Sequence, residues 1–115
     1  MNNAQIAELL DNIADLLELK GESVFKVRAY QKAARSIEHY PVELEQLARQ
    51  SKLRDVPGIG EAIDKKLTEL LTTGKLEYYE NLRAEFPEGF TRLIEIPGIG
   101  PKTAMRLNKE LAIST

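Results

Sequence analysis

Apolar residues recur along this chain at intervals of three and four. Ile6, Leu9, Leu10, Ile13, Leu16 and Leu17 mark one stripe of an amphipathic helix over residues 3–19, because side chains at i, i+3, i+4 and i+7 share a helical face. Asn2 or Asn3 can cap its start, a short polar side chain being able to accept from an unpartnered N–H. Gly21 ends it. Ser23 can cap a second helix, about 24–39, that carries Val24, Val27, Ala33, Ala34 and Ile37. Pro41 stops that helix and can begin a third, with Val42, Leu44 and Leu47 inside. A helix from about Glu61 to Thr73 stops at Gly74. Residues 76–85 read as the next helix, ended near Pro87-Glu88-Gly89, and Phe90 to Ile94 as a short one. Pro101 suits a first helical position and opens a last helix to about Leu111. No segment alternates strictly over five or more residues, so no sheet is predicted. The expected fold class is all-α, a small helical bundle.

Within this pattern one tetrapeptide occurs twice, each time between apolar helical segments. Pro57-Gly58-Ile59-Gly60 returns as Pro97-Gly98-Ile99-Gly100. Leu53/Leu93, Val56/Ile96, Leu67/Leu107 and Leu71/Leu111 fall in register around the two copies. This is an internal repeat of a helix-hairpin-helix. A hairpin this short needs a residue with φ > 0, which glycine supplies without a Cβ clash. The loop then feeds a helix whose first N–H groups have no intrahelical partner. Those donors and the positive end of the helix dipole attract an anion such as a backbone phosphate. Candidate phosphate contacts are Gly58, Ile59, Gly60 and Lys65 in the first copy, and Gly98, Ile99, Gly100 and Lys102 in the second. Phosphate contacts fix position and carry no base information, so sequence-independent binding is expected. A single copy could be a mere turn; two in register favour a nucleic-acid backbone.

Composition narrows the picture. The chain has 115 residues, enough for one domain or two very small ones. It has no apolar run of membrane-spanning length, and its start lacks a basic segment followed by an apolar core. Without cysteine it can hold neither disulfides nor thiolate metal sites. A cytoplasmic, intracellular protein is expected, nucleoid-associated if bacterial, with no membrane partner. The net charge of −2 at first argues against nucleic acid. Distribution matters more. Residues 20–35 hold Lys20, Lys26, Arg28, Lys32 and Arg35 against Glu22 alone, and acidic stretches flank them on both sides. Such a stripe is ordinarily a solvated face; beside two hairpins it becomes a candidate binding edge. His39, at a predicted helix end, reads as structural, and Glu61 and Asp64 as first-turn helix residues.

Four segments carry a resemblance: Phe25-Lys26-Val27-Arg28-Ala29-Tyr30-Gln31-Lys32-Ala33-Ala34, Val56 to Gly60, Leu70-Leu71-Thr72-Thr73-Gly74-Lys75-Leu76, and Ile96 to Ala104. In order and spacing they resemble the N-terminal region of a family X DNA polymerase over essentially the whole chain. The resemblance implies a lyase-like helical domain over 1–74 with the first hairpin, and the start of a fingers subdomain over 75–115 with the second. It implies a role in DNA repair, at gapped or nicked DNA bearing a 5′-phosphate. Nothing here matches the paired aspartates of the family's palm, so this chain alone is not expected to polymerise. The end at Ala112-Ile113-Ser114-Thr115, directly after a helix, fits a piece of something longer.

By the same resemblance Lys66 is the candidate nucleophile of a 5′-deoxyribose-phosphate lyase. Its amine would attack the sugar aldehyde at an incised abasic site and form a Schiff base, and β-elimination would follow. A lysine nucleophile needs a neutral amine, hence a pKa lowered by burial or by neighbouring cations such as Lys65 or Lys26. The implied 5′-phosphate pocket comprises Lys26, Tyr30 and Arg54. Two positions depart from the family: Ala62 stands where a further pocket base is found, and Phe25 where a base-stacking histidine can stand. The family also implies that hairpin carbonyls can hold Na+ or K+, here those of Arg54, Val56, Ile59, Ile94, Ile96 and Ile99; hard cations favour such oxygen ligands. No other cofactor is required, and a monomer is expected. Two readings of another kind stay open beside the DNA-binding one: the lyase, and a helical protein-interaction module with no DNA affinity.

Overall fold

The computed structural model of the chain describes residues 1–94, 96 and 98–114; residues 95, 97 and 115, and the side chains at 91, 108 and 111–114, lie outside the described part. Pro97 of the second tetrapeptide and the Leu111 side chain of the repeat register therefore lie outside the described residues. Among the described residues there are seven α-helices, one 3-10 turn and no strand, the all-α class that the periodicity predicts.

Helix α1 (Asn3–Lys20) starts at a reciprocal cap. Asn2 Oδ1 accepts the Gln5 N–H at 2.8 Å, and Gln5 Oε1 accepts the Asn2 N–H at 2.9 Å, so two donors orphaned by the helix start are satisfied at once. Gly21 closes it in the left-handed region. Helix α2 (Val24–Glu38) is capped by Ser23, whose Oγ accepts the Lys26 N–H at 3.2 Å. The two helices fold back on each other as a helical hairpin. Ile6, Leu10, Ile13 and Leu17 of α1 and Val27, Ala34 and Ile37 of α2 all belong to its buried cluster.

Helix α3 (Leu44–Arg49) begins later than Pro41, where the sequence pattern allowed it to start. Asn3 explains the delay. This buried asparagine accepts the Leu44 N–H at 2.8 Å and donates to the Val42 carbonyl at 2.9 Å, and its own N–H donates to Glu43 at 3.0 Å. Residues 42–44 are thereby held against the start of α1, and the Val42 carbonyl and Leu44 N–H used for this are groups that a helix beginning at Pro41 would need for itself.

A 3-10 turn (Leu53–Asp55) leads into the first hairpin and helix α4 (Glu61–Thr73), which Gly74 closes with φ 80°. Helices α5 (Glu77–Ala84), α6 (Glu88–Ile94) and α7 (Pro101–Ser114) follow. The last runs past the Leu111 limit set by the sequence pattern. α5 and α7 pack back onto α1. Leu82, Phe90, Ile94 and Ala104 extend the same apolar cluster. Two ion pairs cross this junction, Lys20 to Glu85 at 2.8 Å and Lys102 to Glu18 at 3.2 Å. Exposed pairs contribute about 0–1 kcal/mol each, whereas a fully buried side chain such as Phe90 contributes roughly 1.5–3 kcal/mol. Apolar packing therefore does more than the ion pairs to hold this junction together. The molecule is elongated, 52 × 26 × 23 Å.

Candidate nucleic-acid interface

The two tetrapeptides adopt the same backbone at their described residues. Gly58 has φ 89° and Gly98 φ 84°, values at which a side chain would be strained. The Ile59 N–H donates to the Val56 carbonyl at 3.1 Å, and the Ile99 N–H to Ile96 at 3.1 Å. The Asp64 N–H donates to Gly60 at 2.9 Å, and the Ala104 N–H to Gly100 at 2.9 Å. Each loop thus ends at a glycine whose carbonyl starts a helix. Ile59 anchors the first loop by burial, while Gly58 and Gly60 stay exposed. The first loop rests on α2: a Cβ at Gly58 would lie 3.4 Å from Lys32 Cγ and 3.6 Å from Ala33 Cα. The second loop has open space at the same position.

Between α2 and α4 lies an open cleft of about 440 Å³, lined by Lys26, Ala29 and Tyr30 on one side and by Gly58, Gly60 and the first turns of α4 to Lys66 on the other. The structure therefore brings together five of the candidates, Lys26, Tyr30, Gly58, Gly60 and Lys66, at the first hairpin. Tyr30 is buried, and burial pushes its hydroxyl pKa above the ordinary tyrosine value, with Tyr78 adding to the rise. The hydroxyl stays protonated at neutral pH and keeps its donor. Lys66 is half-buried. Burial first, and then the positive charge of Lys26, draw its pKa below the usual lysine value, against an opposing effect of Glu69. The Lys66 amine also borders a second cleft, of about 460 Å³, with Glu61, Ala62, Lys65 and Glu69. Ala62 opens both clefts, because a small side chain fills little of either.

The residue that organises this cluster was not legible in the sequence. Tyr78 of α5 stacks on Tyr30, with ring centroids 6.2 Å apart and planes 8° apart. Lys66 Nζ lies 4.7 Å from the Tyr78 centroid, and Lys26 Nζ 5.8 Å. One ring thus serves two ammonium groups, each attracted to its face. It comes from beyond Gly74, in the half to which the motifs assign a different role, and the adjacent pair Tyr78-Tyr79 does not say which ring faces the first hairpin. The spacing Lys26/Tyr30, one helical turn apart, was the nearest hint.

The other candidate side chains stand apart from the cleft. Arg54 Nε is held by Asp64 Oδ2 at 2.9 Å, at the start of α4, and does not line the cleft. Lys65 pairs with Glu61 at 3.3 Å, so Glu61 and Asp64 act as first-turn partners of bases, as their positions suggested. Lys102 pairs with Glu18 of α1. Phe25 is 84% exposed beside Lys26. His39 forms the C-cap of α2. Among the described residues no cluster of side chains offers a metal site, and no helix is long and apolar enough to cross a membrane.

Known proteins extend what the geometry gives. A model of the helix-hairpin-helix domain matches residues 1–76. The chain belongs to the helix-hairpin-helix domain family. A SAM-like helix-hairpin-helix tandem matches residues 90–115, the segment with the second loop. Over 98% of its length the chain is 35% identical to a "DNA polymerase/3'-5' exonuclease PolX" of Bacillus subtilis (strain 168), and over 91% it is 31% identical to "DNA polymerase lambda" of Arabidopsis thaliana. It spans 19% of the length of each. These relatives bear out the resemblance to family X polymerases that the motifs carry.

Proposed function

We propose that this chain binds DNA backbone without sequence preference, as a DNA-repair module of a family X polymerase. The observation that carries the reading is the pair of matching hairpins. Each offers an exposed, positive-φ glycine and a helix start to a phosphate, and the match to relatives named as DNA polymerases supports DNA as the polyanion. Gapped or nicked DNA with a 5′-phosphate is the preferred form, because Lys26 lines a cleft at the first hairpin and can hold that terminal charge. The chain acts as a monomer inside the cell. Val56 and Ile96 each use one carbonyl lone pair for the loop hydrogen bond, and a carbonyl has two; the second, with the carbonyls of Arg54, Ile59, Ile94 and Ile99 nearby in the chain, suits Na+ or K+ beside a phosphate. Binding to gapped duplexes, with and without the 5′-phosphate, tests the reading. Tighter binding of the phosphorylated form supports it, equal binding removes the pocket, and no binding at low salt leaves a protein-interaction bundle.

A second reading is favoured by the lowered pKa of Lys66 beside Lys26. As a deoxyribose-phosphate lyase, Lys66 Nζ would attack the C1′ aldehyde and lose water to give the imine. Loss of a C2′ proton then breaks the C3′–O bond and frees the 5′-phosphorylated strand, and water returns the amine. Borohydride trapping on an incised abasic duplex tests it. An adduct lost in Lys66→Arg, with DNA affinity kept, supports the lyase, because a guanidinium stays protonated and forms no imine. Trapping that survives Lys66→Arg removes it.

A further inference from the structure

We propose that the outer face of α2 binds a second nucleic-acid backbone, that of the intact strand opposite the gap. The proposal rests on the DNA-binding reading above. Arg28, Lys32 and Arg35 stand at i, i+4 and i+7, so at 3.6 residues per turn they fall within about 60° of one another. All three are exposed, and among the described residues none of them forms an ion pair. Arg49, Arg54, Lys65, Arg92 and Lys102 each have a carboxylate partner. Together with Gln31 the three bases line an open groove of about 430 Å³. Asp11 and Glu38 close its Arg35 end.

Two features say what the groove holds. The stem of Lys32 lies against Gly58, so the groove is continuous with the first hairpin loop. A polyanion seated on that loop is within reach of the groove at Lys32, which favours nucleic acid over an acidic protein. Lys26, by contrast, projects about 120–180° away from the three around the helix. The body of α2, roughly 10 Å across, therefore stands between the Lys26 and the Arg28–Arg35 side chains, and the two openings approach each other at Gly58. Backbone on opposite sides of one helix belongs most simply to different strands. From Arg28 to Arg35 the groove runs about 10 Å along the helix axis, at ~1.5 Å per residue, room for two or three phosphates.

The test uses the whole chain and a one-nucleotide-gapped duplex with a 5′-phosphate. The Arg28→Gln, Lys32→Gln, Arg35→Gln triple variant should bind at least about tenfold more weakly at moderate salt. Its slope of log K against log salt should be shallower by roughly 2–3, at ~0.9 for each phosphate no longer neutralised. The chain contains no cysteine, so Gln31→Cys carries one aryl azide into the groove with all three bases in place. Irradiation should label the intact strand. Labelling confined to the strand that bears the 5′-phosphate overturns the proposal, and so does a triple variant with the wild-type slope. A wild-type chain that binds no DNA overturns the parent reading as well. A wild-type chain that binds, beside a triple variant that matches it, overturns this proposal alone and leaves the groove to an acidic protein surface.

Discussion

At the scale of single residues, the chemistry is concentrated where two ammonium groups share one aromatic ring. The charge of Lys26 helps hold the Lys66 pKa down, and burial does more of the same work. Lys26→Met removes the charge and keeps the apolar stem, so Lys66 should titrate at a higher pH than in the wild type. The neutral, nucleophilic fraction at pH 7 then falls. Reductive methylation with labelled formaldehyde, followed by an NMR titration of the Lys66 signal, reads this without requiring any activity. Tyr78→Phe keeps the ring and should leave the midpoint in place; an unmoved midpoint in Lys26→Met would mean that burial alone sets it. Lys26 and Lys66 were legible in the sequence because the motifs fix their positions. Tyr78 was not, since its role comes from the packing of α5 across a boundary that the sequence places at Gly74. Asn3 was read only as one of two possible caps; its tie to residues 42–44 depends on a partner some forty residues away.

At the scale of elements, the two hairpins are alike in backbone and unlike in what supports them. Both glycines sit at positive φ, which costs a residue with a Cβ roughly 1–2 kcal/mol. At Gly98 the backbone strain is the main cost, because a Cβ there meets nothing within 4 Å beyond its chain neighbours. At Gly58 a Cβ alone is already in ordinary contact with Lys32 and Ala33, which leaves little room beside α2 for the branched methyls of valine. Gly58→Val should therefore be less stable than Gly98→Val by about 1–3 kcal/mol, the usual range for overpacking. Urea denaturation of the two variants measures the difference, and equal losses would mean that α2 yields to the loop. Both should weaken DNA binding. The helices themselves were legible almost throughout, because caps at Asn2 and Ser23 and stops at Gly21 and Gly74 are local. The start of α3 was not local, and the sequence pattern placed it too early.

At the scale of the whole molecule, the second hairpin is turned toward α1, and this bears on how both loops can meet one DNA. Lys102, expected at a phosphate, is engaged by Glu18, and its charge also reaches Asp15 of the same helix, where it works against the rise that burial causes. That docking could not be read from the sequence, because α1 shows the same apolar stripe whether or not a further helix lies across it. The buried Phe90 and Ala104 indicate that packing, rather than the ion pair, sustains the arrangement. Glu18→Gln separates the two contributions. It releases Lys102 and removes an acidic charge beside the second loop, while a pair exposed on both sides contributes only about 0–1 kcal/mol to stability. The variant should therefore melt within a few degrees of the wild type and bind gapped DNA several-fold more tightly at low salt. Its salt slope should be steeper by roughly 0.9, the increment for one further phosphate neutralised by Lys102. Lys102→Gln on the same background should cancel the gain in affinity. Unchanged affinity in Glu18→Gln would mean that Lys102 stays away from DNA and serves the junction with α1. A large drop in melting temperature would show that the ion pair, and not the apolar cluster, fixes the second hairpin on the first half of the chain.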